Sequence, residues 1–66
     1  MNIVDKRDGA NIFSNVMVHL EKDGFYVYNV DELVGRVYDD MLWTKLNGEW
    51  EIYSSEDDIM INGNVV

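Results

Sequence analysis

The dipeptide Asn47-Gly48, flanked by alternating residues, is the feature that most restricts how this chain can fold. A two-residue type I′ turn needs positive φ at both central positions, which asparagine and glycine tolerate well, so Asn-Gly predicts a β-hairpin. With a two-residue loop, Trp43 lies opposite Ile52, and Trp50 falls on the same side of the hairpin. We interpret this shared side as the one that faces the core.

Two further runs of residues surround the segment Glu21-Lys22-Asp23-Gly24. Before the segment, Val16, Val18 and Leu20 alternate with Asn15, Met17 and His19. The run Phe25-Tyr26-Val27-Tyr28, after it, consists of aromatic and β-branched residues, which suit a pleated sheet. We therefore predict a second hairpin here. A helix over 10–22 is the alternative, because its apolar residues also fit a helical period.

The stretch from Val30 to Leu42 is the best candidate for a helix, because its apolar residues recur at i, i+3, i+4 and i+7. Two features weaken this prediction. Gly35 lies in the middle, and the anionic pair Asp39-Asp40 lies near the C-terminal end, where the helix dipole disfavours negative charge. A strand from Leu33 to Tyr38, followed by a turn at Asp39-Asp40, is the alternative.

Together these elements predict one α+β domain over residues 1–66, with two β-hairpins around one short helix and a closing strand at Ile59-Met60-Ile61. Residues Met1 to Ala10 are predicted as an arm or a leading strand of low definition. If the middle segment is a strand, the chain becomes an all-β meander that resembles a small SH3-like barrel. A chain of 66 residues without cysteine has a thin core and no disulfide, so it depends on hydrophobic burial, its own or shared with a second copy.

Thirteen acidic and five basic residues give the chain a formal net charge of −8. This excess argues against direct nucleic-acid binding, which needs basic side chains, and against binding to anionic membranes. No stretch approaches the ~20 apolar residues of a membrane span, and the first residues contain no signal-peptide hydrophobic region. We expect a cytoplasmic protein.

The acidic residues are unevenly distributed along the chain. Residues 49–66 contain five acids and no base, whereas residues 1–48 contain eight acids and five bases. Two interpretations are about equally good: a solubilising surface that also protects strand edges, or an acidic surface that docks on a basic groove of a partner protein. The acids in the second hypothesis are Glu49, Glu51, Glu56, Asp57 and Asp58, with Asp39 and Asp40.

The chain also has eight aromatic residues, more than a thin core can hide completely. Tyrosine and tryptophan are common at interfaces because they combine a large apolar area with a polar tip. We predict that Tyr26, Tyr28 and Tyr38 form an exposed patch that contacts a partner or forms the seam of a homodimer.

Signatures of catalysis and of metal binding are weak. His19 is the single histidine, it lies on the wetter side of a predicted strand, and no nucleophile motif accompanies it. The acidic run Glu56-Asp57-Asp58 does not follow the calcium-loop pattern. We therefore predict a binding protein and not an enzyme, with no cofactor and no metal.

The leading hypothesis is an acidic protein-binding or inhibitory module. In size, acidity and aromatic content the chain is similar to small phage-encoded inhibitors that occupy the nucleic-acid groove of a host enzyme. The similarity is one of composition and rests on no motif. It implies a protein that mimics nucleic acid toward a basic partner. The alternative is a structural or assembly protein that forms a homo-oligomer.

Overall fold

Residues 1–63, the part of the chain that the computed structural model describes, form eight strands and one short 3-10 turn. The sequence Asn62-Gly63-Asn64 also predicts a turn, which lies partly outside the described residues, and Val65-Val66 lies outside them altogether. The elements are β1 (Asn2–Asp5), β2 (Asn11–Phe13), β3 (Met17–Glu21), β4 (Gly24–Asn29), β5 (Glu32–Tyr38), β6 (Met41–Leu46), β7 (Glu49–Ser55), the 3-10 turn (Glu56–Asp58) and β8 (Ile59–Asn62).

The strands make two antiparallel sheets. Five consecutive strands form a meander in the order β3-β4-β5-β6-β7, and the small sheet has the order β2-β1-β8. In the small sheet, β1 pairs with β8, so that Asn2 lies opposite Asn62. Within the described residues no helix has the length and apolar character needed to cross a membrane.

The prediction of an α+β fold with a helix over 30–42 is wrong, and the all-β alternative is confirmed. This stretch contains β5, a turn at Asp39-Asp40 and the start of β6. Both aspartates have positive φ, 54° and 62°, as a type I′ turn between adjacent antiparallel strands requires. Gly35, which disfavoured the helix, leaves space for an aromatic ring: a Cβ there would lie 2.9 Å from the ring of Phe13.

Both predicted hairpins are confirmed. β3 and β4 pair from Met17 opposite Tyr28 to Glu21 opposite Gly24, so the alternative helix over 10–22 is wrong. Asn47 and Gly48 have φ values of 52° and 81°, and the register that follows from a two-residue loop is the one observed. The closing strand is confirmed as β8.

The core lies between the two sheets. Its buried apolar side chains are Ile3, Val16, Phe25, Val27, Val37, Leu42 and Ile59. The N-terminal segment is not an arm, because β1 is the central strand of the small sheet and Ile3 is fully buried.

The face shared by Trp43, Trp50 and Ile52 is confirmed by the register, but its assignment to the core is wrong. Leu42, which points to the opposite side of β6, is fully buried, whereas Ile52 is 50% exposed. The small sheet therefore covers the side that carries Leu42, and the two tryptophans lie on the outward side.

A buried carboxylate connects the small sheet to β7. Both oxygens of Asp5 accept hydrogen bonds from the Arg7 guanidinium, at 3.0 Å from Nε and 2.8 Å from Nη2. The Tyr53 hydroxyl also donates to Asp5, over 3.1 Å. These hydrogen bonds, those from Arg7 above all, lower the pKa of Asp5 to about 2, although burial opposes the shift.

The pKa of Asp5 predicts a specific dependence of stability on pH. The charged form is favoured in the folded state, so its contribution to stability is fully present above the ordinary pKa of 3.8 and is lost as the pH falls through about 2. We expect Asp5→Asn to melt at a lower temperature than the wild type at neutral pH and to lose less stability over this acidic interval. Thermal melts followed by circular dichroism between pH 2 and 7 measure both effects, with the exposed Glu49→Gln as control. A parallel pH dependence in Asp5→Asn and the wild type would contradict this role.

Candidate functional site

The outward side of the five-stranded sheet carries five of the six tyrosine and tryptophan residues of the chain. Side chains alternate across a strand, so the neighbours of the buried Val27, Val37 and Leu42 point away from the core. We call this side the aromatic face. Its central residues are His19, Tyr26, Tyr28, Arg36, Tyr38, Trp43, Lys45, Trp50 and Ile52, and the same registers place Met17, Glu21, Leu33 and Met41 around them.

One residue from each of the five strands forms a continuous row across this face. His19 lies opposite Tyr26, which lies opposite Arg36 on the next strand. Arg36 in turn lies opposite Trp43, and Trp43 opposite Ile52. Adjacent strands are about 4.8 Å apart, so the row spans roughly 19 Å and offers contacts to several residues of a partner.

Arg36, at the centre of the row, is held between two tyrosine rings. Its Cζ is 5.5 Å from the ring centroid of Tyr26 and 4.7 Å from that of Tyr38, within the range of cation–π attraction. Its Nε is buried and has no hydrogen-bond partner among the described residues. Within residues 1–63 Arg36 forms no ion pair, since both observed ion pairs involve Arg7. Arg36 is therefore a cation held by aromatic rings and not by a carboxylate of the described residues.

Arg36, Tyr38, Trp43 and Trp50 line a depression of about 470 Å³. The indole N–H of Trp43 donates to the carbonyl oxygen of Tyr38 over 3.3 Å, which orients the ring. Trp50, on the neighbouring strand, is 37% exposed. The volume is in the range of small-ligand sites.

A second depression, of about 300 Å³, lies at the other end of the face and is lined by Met17, His19, Tyr28, Val30 and Asp31. The rings of His19 and Tyr28 pack with their centroids 5.0 Å apart and a tilt of 59°. Of these five lining residues, Asp31 is the one carboxylate and none is a serine. The surroundings of His19 therefore favour apolar contact over nucleophilic catalysis.

The three tyrosines of the predicted patch all lie on the aromatic face. Tyr38 is 49% exposed, and Tyr26 and Tyr28 are half-buried. The Tyr26 hydroxyl donates to a carboxylate oxygen of Asp23 over 3.1 Å, and this hydrogen bond raises the pKa of Tyr26. Their part in partner binding stays a prediction.

The seven acids of the predicted docking surface separate into two groups. The turn Asp39-Asp40 lies beside the 3-10 turn Glu56–Asp58, since the Glu56 backbone N–H donates to the Asp40 carbonyl over 2.9 Å. Glu49 and Glu51 lie toward the tip of the β6–β7 hairpin. Their side chains point to one side of the sheet and that of Trp50 points to the other. Glu51 and Glu56 are five residues apart, roughly 17 Å along an extended strand. The structure therefore brings five of the seven acids together.

Sequence reasoning missed Arg36 and assigned the tryptophans to the wrong side of the sheet. The alternative strand from Leu33 to Tyr38 contained the signal for Arg36, because residues two apart on a strand share a face and Arg36 precedes Tyr38 by two. No comparable signal was available for the tryptophans, since the strands that cover the opposite side are distant in the sequence.

Within residues 1–63, no three histidine, aspartate or glutamate side chains come together in the arrangement of a metal site. The aromatic face, with its unpaired arginine and two depressions, is therefore the candidate site with the most chemical content. Comparison with models of known families, with curated proteins and with solved structures finds no match to this chain.

Proposed function

We propose that this protein is a binding module, and not an enzyme, that recognises another protein through the aromatic face. The observation that carries this proposal is the exposure of Tyr38, Trp50 and Ile52 (49%, 37% and 50%) on one side of a sheet whose other side forms the core. Aromatic residues and arginine are enriched at protein interfaces and dominate their binding energy. We also propose that the protein works in the cytoplasm, where a chain without cysteine needs no oxidising conditions.

Charge favours a protein partner over nucleic acid. Single-stranded nucleic acid stacks on aromatic rings but also needs a cationic groove that follows its backbone. The aromatic face contains two basic residues, Arg36 and Lys45, in a chain with a net charge of −8. A strand that carries one phosphate per nucleotide is repelled by such a protein.

The second candidate function is the docking of acidic side chains on a basic groove of a partner, as an inhibitor that mimics nucleic acid. The observation in its favour is the contact between the Asp39-Asp40 turn and the 3-10 turn Glu56–Asp58. One of these acids, Asp58, lies 4.0 Å from the Arg7 guanidinium, which offsets part of the negative charge of Asp58. The two candidates place the partner on different surfaces, so they can be separated by variants.

Capture of partners from lysate of the native host separates the two candidate functions. In a face variant, Tyr38→Ser and Trp50→Ser are combined. In an acid variant, the carboxylates of Asp39, Asp40, Glu56 and Asp57 are converted to amides. We expect the face variant to bind a captured partner at least about tenfold more weakly, because aromatic anchors dominate interfaces. The acid variant should lose less than about threefold, since exposed charges contribute little.

Leu20→Ser is the matched control, because Leu20 is 79% exposed and points to the opposite side of β3. Circular dichroism establishes that each variant is folded. A partner lost by the acid variant but kept by the face variant would support acidic docking instead. A tight homodimer in light scattering that the face variant dissociates would assign the face to self-assembly and contradict the proposal.

A further inference from the structure

We propose that the depression around Arg36 binds a carboxylate carried by an extended segment of the partner protein, with an aromatic or aliphatic side chain beside it. The inference rests on the proposed function, because it names the chemistry of the segment that the aromatic face takes. It is carried by the charges of the face, the unpaired state of Arg36 and the size of the depression.

The charge on this part of the aromatic face is opposite in sign to that of the whole protein. On β5, β6 and β7 the face presents Arg36 and Lys45 and no acid. Glu49 and Glu51 are on the other side of β7, because they alternate with Trp50. Complementary potentials select partners, so two cations among aromatic rings favour an anionic group.

Arg7 and Arg36 differ in one respect: Arg7 has a carboxylate partner, and within residues 1–63 Arg36 has none. Arg7 donates to both oxygens of Asp5, from Nε at 3.0 Å and from Nη2 at 2.8 Å, in the planar arrangement that suits a carboxylate. Arg36 has the same guanidinium group, but among residues 1–63 its buried Nε has no hydrogen-bond partner and no carboxylate lies within ion-pair distance. The rings of Tyr26 and Tyr38 hold its guanidinium in place before any ligand arrives.

The size of the depression indicates what accompanies the carboxylate. At about 470 Å³ it has more room than one carboxylate needs, and the remaining lining is the rings of Tyr38, Trp43 and Trp50. An apolar side chain next to the carboxylate fills this space and excludes water. Exclusion of water strengthens a charge-assisted hydrogen bond, because the local dielectric constant falls.

Titration with two small probes tests the inference. N-acetylphenylalanine offers a ring and a carboxylate, and its amide differs in having no charge. In ¹H–¹⁵N NMR spectra we expect both probes to shift the indole N–H signals of Trp43 and Trp50, and the carboxylate to shift the Nε–H signal of Arg36 as well. The carboxylate should bind about tenfold more tightly than the amide, as expected for one charge-assisted pair.

Variants of single cations show whether Arg36 is responsible. Arg36→Gln should bind the two probes equally, and Arg36→Lys should keep part of the preference, because lysine keeps the charge without the planar fork. Lys22→Gln removes a positive charge from the β3–β4 turn and should keep the full preference. Equal binding of both probes by the wild type, or a preference that survives in Arg36→Gln, overturns the inference. Tighter, Arg36-dependent binding of an oligothymidylate also overturns it and points to nucleic acid.

The capture experiment separates a failure of this inference from a failure of the proposed function. If a partner is lost by the face variant but retained by Arg36→Gln, the result supports the proposed binding module and contradicts the inferred carboxylate ligand. If a partner is retained by both variants, the aromatic face is not the contact surface and the proposed function is contradicted. Loss in both variants, with the probe preference present in the wild type, supports both proposals.

Discussion

Leu42→Ala should lower the free energy of unfolding by about 3 kcal/mol, which is most of the stability available to a domain of this size. Leu42 is fully buried, and it lies opposite Val37 on one side and Ser54 on the other. Its truncation removes apolar contacts and leaves a cavity between the two sheets, because the strands around it are held by backbone pairing. We therefore expect a large unfolded fraction even without denaturant.

Urea unfolding followed by far-ultraviolet circular dichroism measures this loss. Leu46→Ala is the matched control, because Leu46 is the same residue type on the same strand but is 60% exposed. Its unfolding free energy should change by less than about 0.5 kcal/mol. Equal losses in the two variants would show that the small sheet does not cover Leu42.

Gly24→Ala should be nearly as damaging, with an expected loss of about 2–4 kcal/mol from combined backbone strain and steric overlap. Gly24 has a φ of 141°, a conformation that side chains rarely allow. A Cβ at this position would overlap with the carbonyl oxygen of Val37, which is backbone and cannot turn aside. The start of β4 must therefore move away from β5.

Gly48→Ala separates strain from overlap in the same urea experiment. Gly48 also has positive φ, 81°, but a Cβ there meets nothing within 4 Å. We expect it to cost about 1–2 kcal/mol, the penalty for a left-handed residue that has a side chain. If Gly24→Ala cost no more than this control, the close approach to Val37 would have no energetic consequence.

Short-range turn chemistry was the part of the fold that sequence reasoning could predict. Asn47-Gly48 specified its loop length, and loop length specified the register that places Trp43 opposite Ile52. The turn before Gly24 gave the β3–β4 hairpin for the same reason. In both cases the interacting residues are close in sequence, so local preference and final structure agree.

The predicted helix over 30–42 failed because a β-bulge imitates a helical pattern. The pairing of β4 with β5 shifts between Val27 and Tyr28, and the extra residue is Val34. Leu33 and Val34 are consequently both partly buried next to each other, which breaks strict alternation and, with Val37, approaches the spacing of a helix face. The strand followed by a turn at Asp39-Asp40 was kept only as the alternative, since aspartate adopts positive φ less often than glycine.

Which side of the sheet faces water could not be predicted from the sequence. Register places Trp43, Trp50 and Ile52 together, but the cover on the opposite side comes from strands at residues 2–5 and 59–62, far away in the chain. The same problem affected the candidate site. The tyrosines were chosen because they are aromatic. The alternative strand from Leu33 to Tyr38 placed Arg36 on the side of Tyr38, but its position at the centre of the face follows only from the pairing with β4 and β6.

The pairing of Asn2 with Asn62 has a consequence for how the protein is made. Each strand of the meander pairs with its neighbour in sequence and can form while the chain is still being synthesised. The small sheet is complete only when β8 pairs with β1, so Ile59 cannot join the core until β8 leaves the ribosome. Contacts between distant parts of a chain form slowly, and exposed apolar surface promotes aggregation. A stage at which this protein is prone to aggregate therefore comes before β8 has been synthesised.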